Sequence, residues 1–353
     1  MTDLFAPYQL GALELANRLV MAPLTRNRAG AGEAPTALAA EYYGQRATAG
    51  LIVSEGTQPS AVGQGYPHTP GLHTDEQVAG WRLVADAVHA RGGRIVAQLM
   101  HAGRIGHPSI TGQQSVAPSA VTPAGQVFTE DGMQDFHEPR ALATDELPGV
   151  VAEYVDASRR AVDAGLDGVE LHAANGYLLH QFLGDVTNTR TDSYGGSPEN
   201  RVRFVVEVAQ AVSAAIGADR VGIRISPGHG ANDMAESEVE QTYTALLEGL
   251  APLGLLYLHV LEGPDTTYTE QLRKLWDGPV VFNNGFTVDS TLETAQELVD
   301  SGAADLVAFG RAFIANPDLV ERLRTGAALN TPDSATFYGG GAEGYTDYPA
   351  LPA

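Results

Sequence analysis

The sequence has no cysteine and only one lysine, and each shortage removes a class of chemistry. Without cysteine there are no disulfides, no thiolate nucleophile, and no zinc site or iron–sulfur cluster held by cysteine. The single lysine, Lys274, lies in the helical run Tyr268–Trp276, whereas a Schiff-base barrel needs a lysine at a strand end. No HExxH string occurs and no His-x-His pair follows the first predicted strand, so we expect no metal site.

Basic residues and long apolar runs are also scarce. Lysine and arginine total 21 against 43 acidic residues, a net charge of −22, and such a field repels nucleic acid and anionic lipid. The most apolar stretch, Leu250–Leu261, is too short to span a bilayer, so we expect no membrane partner. The first ten residues lack the basic and apolar regions of a secretory signal, and we expect a cytoplasmic protein.

Eight short runs rich in valine, isoleucine and leucine predict strands that are buried on both faces of a parallel sheet. They are Leu19–Pro23, Leu51–Thr57, Arg94–Leu99, Gly168–His172, Val221–Ser226, Leu255–Val260, Val280–Asn283 and Asp305–Gly310. Amphipathic helical patterns lie between them, at Asp75–Ala90, Glu146–Ala164, Glu199–Ile216, Ser237–Leu250 and Ser290–Asp300. This alternation predicts an α/β fold, a (β/α)8 TIM barrel.

The spacing of the strands predicts two additions to the barrel. The third and fourth strands begin about 73 residues apart, whereas one βα unit needs roughly 30. The extra segment, Gly103–Ala143, is rich in Gly, Pro, Ser and Thr without a helical pattern, and we expect a lid over the barrel mouth. Before the first strand, Tyr8–Leu15 alternates around Gly11 and Ala12 and predicts a hairpin at the closed end. No change of composition divides the chain, so we predict one domain, 1–353.

Chemistry in a TIM barrel sits at the carboxyl ends of the strands. Asn284-Gly285 follows the seventh strand and Gly310-Arg311 follows the eighth, where barrels often bind phosphate. Arg311 adds a planar guanidinium suited to a phosphate dianion. The string Gly339–Gly344 matches GxGxxG, but it follows no predicted strand and opens no helix, so we do not interpret it as a dinucleotide site.

Two further strand ends carry polar residues. Arg224 lies inside an apolar strand, either as a structural partner of Glu170 or as a fixed positive charge for an anion in the mouth. His172 and Asn175 follow the fourth strand, and together they can aim two donors at one carbonyl oxygen. Tyr177 then offers an O–H for general acid catalysis.

Taken in order, these strings resemble the old yellow enzyme family of FMN-dependent ene-reductases, over the whole chain. The resemblance is closest to the bacterial branch that includes N-ethylmaleimide, pentaerythritol tetranitrate and glycerol trinitrate reductases. It is carried by Asn17-Arg18, Pro23–Arg26, Gln98-Leu99, His172–Leu178, Arg190–Arg201, Gly222–Arg224, Phe309–Arg311, Asn316–Asp318, Phe337-Tyr338 and Gly344-Tyr345. The twelve-residue string Arg190–Arg201 is the most specific of these.

The resemblance implies a role for each site residue. The flavin ring of a tightly but non-covalently bound FMN would contact Pro23, Thr25, Gly56, Gln98 and Arg224. Its phosphate would be bound by Asn284, Gly285, Gly310 and Arg311. The activating oxygen of the substrate would be held by His172 and Asn175, and Tyr177 would protonate the α-carbon. The substrate pocket would be shaped by Tyr66, Met100 and Tyr338.

The resemblance also implies the reaction. NADPH or NADH would reduce the flavin and leave, and hydride would pass from flavin N5 to the β-carbon of an activated alkene. Enones, enals, maleimides, nitro compounds and nitrate esters are the implied substrates, and the chain would act as a monomer or homodimer. Two alternatives stay open, namely a flavin barrel that oxidises or reduces another substrate and a barrel that binds flavin without catalysis.

Three positions depart from the family pattern. Some relatives carry histidine where Asn175 stands, so the anchor is an amide here. Met100 stands where relatives often carry tryptophan, which should open the pocket and change the face of a substituted alkene that is presented. Asn284 replaces a glycine that is common in the phosphate loop.

Overall fold

The computed structural model describes residues 2–262, 267–285 and 288–352, and its eight parallel strands form a closed barrel in chain order. The strands are β1 (Leu19–Met21), β2 (Leu51–Val53), β3 (Ile95–Leu99), β4 (Gly168–Ala173), β5 (Val221–Ile225), β6 (Tyr257–Leu261), β7 (Val280–Asn283) and β8 (Leu306–Phe309). Strand β8 pairs with β1, with Val307 opposite Leu19, and this pairing closes the barrel. The predicted TIM barrel is confirmed.

A helix follows each strand and packs on the outside of the barrel. These helices are α1 (Ala37–Gln45), α2 (Asp75–His89), α3 (Leu147–Asp163), α4 (Pro198–Ile216), α5 (Val239–Leu250), α6 (Thr267–Leu275), α7 (Leu292–Asp300) and α8 (Leu319–Thr325). Helix α2 begins at a capping box in which Thr74 accepts from the Gln77 amide, so its start is encoded locally. Helices α1 and α8 are not among the predicted helices. Lys274 lies in α6, away from the strand ends, as predicted.

The end of the barrel opposite the strand carboxyl ends is closed by the predicted hairpin. Its strands, Tyr8–Leu10 and Leu13–Leu15, pair antiparallel, and Gly11 in the turn has φ +54°, a conformation that favours glycine. Leu10 and Leu15 are fully buried in a cluster with the apolar side chains that fill the barrel interior. This apolar plug leaves the other end of the barrel for polar chemistry.

The insertion between β3 and α3 covers part of the mouth, but it has more structure than its composition predicts. It contains a short helix, Pro108–Thr111, and an antiparallel hairpin, Gln126–Thr129 with Gly132–Asp135. The guanidinium of Arg190 donates to the main-chain carbonyls of Pro118 and Leu142, on either side of this hairpin. The Arg190–Arg201 string therefore anchors the insertion to the barrel.

The most apolar stretch is divided between two elements, because α5 ends at Leu250 and β6 begins at Tyr257. Within the described ranges, no helix combines the length and the apolar character needed to cross a bilayer.

Candidate functional site

A cavity of about 770 Å³ opens at the carboxyl ends of the strands. Fourteen of the fifteen predicted site residues line it, namely Pro23, Thr25, Gly56, Tyr66, Gln98, Met100, His172, Asn175, Tyr177, Arg224, Gly285, Gly310, Arg311 and Tyr338. The exception is Asn284, whose side-chain Nδ2 donates to Thr294 Oγ1 on α7 at 3.3 Å. Its neighbour Asn283, at the end of β7, lines the cavity instead.

His172 and Asn175 each contribute a polar side-chain atom that no described residue satisfies. Both are buried, and among the described residues neither His172 Nδ1 nor Asn175 Oδ1 has a hydrogen-bond partner. Burial lowers the pKa of His172 well below its usual value, and the positive charge of Arg224 acts in the same direction. The ring is therefore neutral at pH 7 and carries one N–H. Unsatisfied buried groups are costly, so their presence at a cavity indicates a ligand.

The backbone at Asn175 explains how this side chain reaches the cavity. Asn175 has φ +57°, in the left-handed region that asparagine tolerates better than most residues. Its amide N–H donates to Ser226 Oγ at 2.9 Å, and its carbonyl accepts from Asn232 Nδ2 at 2.8 Å. Both main-chain groups are thus fixed, and the side chain is left to the cavity.

Tyr177 lies beside His172 and forms a hydrogen bond with a second phenol. The two rings meet edge to face with centroids 5.0 Å apart, and Tyr177 Oη is 2.9 Å from Tyr66 Oη. Burial raises the pKa of Tyr177, although hydrogen bonds with Tyr66 and Asn232 partly oppose that rise. The phenol is protonated at neutral pH and is placed to act as an acid.

Arg224 faces the cavity above a buried carboxylate. Glu170 is fully buried and accepts hydrogen bonds from Gln98 Nε2 and His259 Nδ1, each at 2.8 Å. Burial alone would raise the pKa of Glu170. The interactions with His259, Arg224 and Gln98 together outweigh burial, so the pKa of this carboxyl is lowered. Its carboxylate is thus occupied by other partners, and no direct ion pair joins it to Arg224 in the described part of the chain. Arg224 Nε is buried without a partner.

The polar residues after β7 and β8 form the other side of the cavity. Gly310 precedes the short helix Arg311–Ala315, and Arg311 Nη1 lies 3.0 Å from Asp289 Oδ1, both side chains being partly exposed. Gly285 has φ +89°, so the turn after β7 requires glycine. In the described residues no group of three or more histidine, aspartate or glutamate side chains is arranged to hold a metal ion.

A buried carboxyl group supports the wall formed by Pro23, Thr25 and Gly56. Glu55 Oε2 accepts from the Arg26 amide at 3.1 Å, and the Glu55 amide donates to Tyr43 Oη at 3.0 Å. Burial raises the pKa of Glu55 to about 7, against the opposing hydrogen bond and charge of Arg26. The wall therefore rests on a carboxyl group that changes its charge near neutral pH.

We expect Glu55→Gln to change the pH dependence of stability. Since its folded pKa lies above the ordinary value of 4.5, the protonated carboxyl stabilises the fold at low pH, and this contribution is lost as pH rises through about 7. A tenfold change in proton affinity corresponds to about 1.4 kcal/mol, so the rise of the Glu55 pKa from 4.5 to about 7 makes this loss roughly 3 kcal/mol. Urea denaturation should therefore show that the free energy of unfolding of the glutamine variant, relative to that of the wild type, increases between about pH 5 and pH 8.

The control for this prediction is Glu248→Gln, which removes an exposed carboxylate on α5. A difference between the Glu55 variant and the wild type that stays constant over this pH range would contradict the prediction.

Two sets of cavity residues have no signal in the sequence. Asn232 lies in the loop after β5 at φ +55°, and an isolated asparagine in a loop predicts nothing. Phe128, Met133 and Phe136 come from the insertion, whose composition indicates a loop but not which side chains turn inward. The pairing of Phe128 with Met133 across the hairpin is the only local pattern that brings two of them together.

The residues fit a flavin nucleotide. A cavity of this size with an apolar wall and a few converging polar groups is typical of a cofactor site. The unpartnered Arg224 Nε supplies a buried donor, and Gly56 lies so close to Met100 that a Cβ there would approach Sδ to 2.6 Å. The missing side chain of Gly56 thus leaves room for Met100 to pack against this wall.

Comparison with known proteins agrees with this geometry. Residues 3–330 match the NADH:flavin oxidoreductase / NADH oxidase family. The chain is 43% identical to 12-oxophytodienoate reductase 7 of Oryza sativa subsp. japonica, over 99% of this chain and 94% of that protein. Morphinone reductase in complex with tetrahydroNAD superposes with a TM-score of 0.95 at 49% identity, covering 100% of this chain and 98% of that one.

A second solved structure extends the comparison. The old yellow enzyme homologue of Zymomonas mobilis superposes with a TM-score of 0.95 at 43% identity, over 99% of this chain and 100% of the other. The chain therefore belongs to the NADH:flavin oxidoreductase / NADH oxidase family, as a bacterial-type old yellow enzyme that acts as an oxidoreductase on activated alkenes.

Proposed function

We propose that the protein reduces enones, enals and maleimides, and also nitro compounds or nitrate esters, with NADPH or NADH as the reductant. The observation that carries this proposal is the buried pair His172 and Asn175, each with an unpartnered polar side-chain atom at the cavity, next to the protonated phenol of Tyr177. We also propose that residues 1–353 form one flavin-binding domain, active as a monomer or homodimer.

FMN would be held at two places in the cavity. Pro23, Thr25, Gly56, Gln98 and Arg224 would contact the ring, whereas Gly285, Gly310 and Arg311 would receive the phosphate. The side chain of Asn284 points to Thr294, so we do not assign it a phosphate contact. When bound, FMN supplies the redox chemistry, accepting hydride from the nicotinamide and delivering it to the β-carbon of the alkene.

The protein would hold the substrate and supply the proton. The neutral ring of His172 and the amide of Asn175 would donate to the activating oxygen and stabilise the negative charge that develops there. Tyr177 would give its phenolic proton to the α-carbon, and Tyr66 would keep that phenol in place through the 2.9 Å contact between the two hydroxyls.

Product analysis tests this function. In the absence of oxygen, FMN-loaded protein should oxidise NADPH or NADH beyond the amount that reduces its own flavin only when an activated alkene such as cyclohexenone is present, and the product should be the saturated ketone. Cyclohexene, which has no activating oxygen, should not be reduced. Consumption of the nicotinamide without a saturated product would favour a flavin enzyme with another substrate.

We expect Met100→Trp to narrow the pocket. Met100 is buried in a cluster with Ala102, Ile105 and Tyr177, so a larger ring must extend into the cavity. The ratio of product enantiomers from a substituted enone should change, measured by chiral chromatography. Met100→Leu conserves the volume and should keep the wild-type ratio. The same ratio in all three proteins would show that Met100 does not shape the substrate pocket.

A further inference from the structure

Several of the residues that line the cavity are exposed apolar side chains. Seven large apolar side chains are prominently exposed in the described part of the chain, and four of them, Phe128, Met133, Val288 and Tyr338, line this one cavity. Their exposed fractions lie between 55% and 66%. We call these four residues the apolar rim. Exposed apolar residues that are scattered singly need no explanation, but a group around an opening marks a binding surface.

The hairpin of the insertion presents two members of the rim side by side. Phe128 and Met133 are directly opposite each other in the antiparallel register, so their side chains lie on one face. Val127, between Gln126 and Phe128, is buried on the opposite face. The exposed face also carries Gln126 and Asp135, whose side chains are joined by a hydrogen bond of 2.9 Å, so Phe128 and Met133 are the apolar half of a face that is normally polar throughout.

The other two members come from separate parts of the chain. Val288 lies between β7 and α7, and Tyr338 lies in the C-terminal segment. That segment is held by arginines, because Arg26 Nη2 donates to the Gly344 carbonyl at 2.8 Å and Arg28 Nη2 donates to the Thr336 carbonyl at 2.9 Å. Three independent elements therefore converge on the opening, each with an apolar side chain.

We infer that the apolar rim binds an aliphatic or aryl substituent of the alkene substrate, an inference that rests on the proposed function. The rim is continuous with the cavity in which His172 and Asn175 lie, so one molecule can reach both. None of its four side chains carries a positive charge that could bind the pyrophosphate of a nicotinamide nucleotide, so the rim is a poor site for the reductant. A protein docked there would close the opening through which the substrate enters. The preferred substrates are therefore activated alkenes with an apolar extension, rather than small cyclic enones alone.

A chain-length series tests this inference. Alkyl vinyl ketones with chains from methyl to octyl are suitable probes, since the protein has no cysteine that they would alkylate. Because a buried methylene is worth about 0.8 kcal/mol and the rim covers a chain on one side, kcat/KM should rise about twofold per methylene once the chain reaches the rim. The double variant Phe128→Ser, Met133→Ser should lose most of this rise.

The quantity compared is the slope of kcat/KM against chain length, on a logarithmic scale. Because each slope is measured within one protein, a general loss of activity in the double variant does not affect it. Leu83→Ser, which removes an exposed leucine on α2, is the matched control and should keep the wild-type slope. A wild-type slope in the double variant as well as in the control would overturn the inference. A raised KM for NADPH with an unchanged slope would also overturn it, because the rim would then bind the reductant. If even the methyl compound is not reduced by the wild type, the proposed function itself fails.

Discussion

Replacing Tyr177 by phenylalanine should slow alkene reduction by about 10²–10⁴-fold, the usual contribution of a positioned general acid. The ring centroid of Tyr177 lies 5.0 Å from that of His172, and burial raises the pKa of its phenol, so the phenol is protonated under assay conditions. Reduction of the flavin by the nicotinamide needs no proton from this group and should be unaffected. Stopped-flow absorbance measures the two half-reactions separately.

Tyr66→Phe is the matched control for this prediction. It removes the hydroxyl that contacts Tyr177 at 2.9 Å but leaves the phenol of Tyr177 in place. Its effect on alkene reduction should be much smaller than that of Tyr177→Phe. Wild-type reoxidation by an enone in the Tyr177 variant would show that the proton comes from another donor, and equal losses in both variants would show that Tyr177 is not the sole acid and that both hydroxyls are needed.

The second large effect is expected at Asn175. Removal of one preorganised donor at a developing oxyanion typically costs about 10²–10³-fold in rate. Asn175→Gly removes the amide side chain and still accepts φ +57° without strain, whereas alanine would add a backbone penalty. We expect the glycine variant to reduce enones about 10²–10³-fold more slowly than the wild type, measured as the rate of flavin reoxidation under anaerobic conditions.

Asn175→His separates the loss of the donor from the loss of the side chain. Histidine also tolerates the left-handed region and restores an N–H, so this variant should recover most of the wild-type rate. Equal rates in the glycine and histidine variants would contradict an anchoring role for Asn175. Since burial lowers the pKa of His172 well below its usual value, the ring should stay neutral, and its anchoring contribution should not change with pH, between about pH 7 and pH 9.

The barrel could be predicted from the sequence because its strands are buried on both faces. Strands β4 and β5 are mainly apolar runs, interrupted by Glu170 and Arg224, and their predicted bounds differ from the observed ones by one residue. Helix α1 has no comparable signal, because its buried face consists of Ala39, Gly44 and two tyrosines and shows little amphipathic contrast. Small buried residues carry too little apolar surface to stand out in a periodic pattern.

The site could be predicted in large part for a related reason. A parallel barrel brings the residues after its strands to one end, so the order of the strands was sufficient to group His172, Arg224 and Arg311. The orientation of a side chain within a loop depends on local backbone angles and on tertiary partners. Asn284 turns to Thr294, and Asn232 reaches the Asn175 carbonyl, for such reasons, and neither could be read from sequence order.

Sequential mixing in a stopped-flow instrument tests the central claim most directly, namely that this cavity binds FMN and transfers reducing equivalents from a nicotinamide to an activated alkene. The purified protein is incubated with FMN, separated from free flavin and mixed without oxygen with NADPH or NADH, then with cyclohexenone. We predict that the bound yellow absorbance bleaches on the first mixing and returns on the second. A protein that remains colourless after incubation with FMN, or bound flavin that does not bleach with either nicotinamide, would contradict the account.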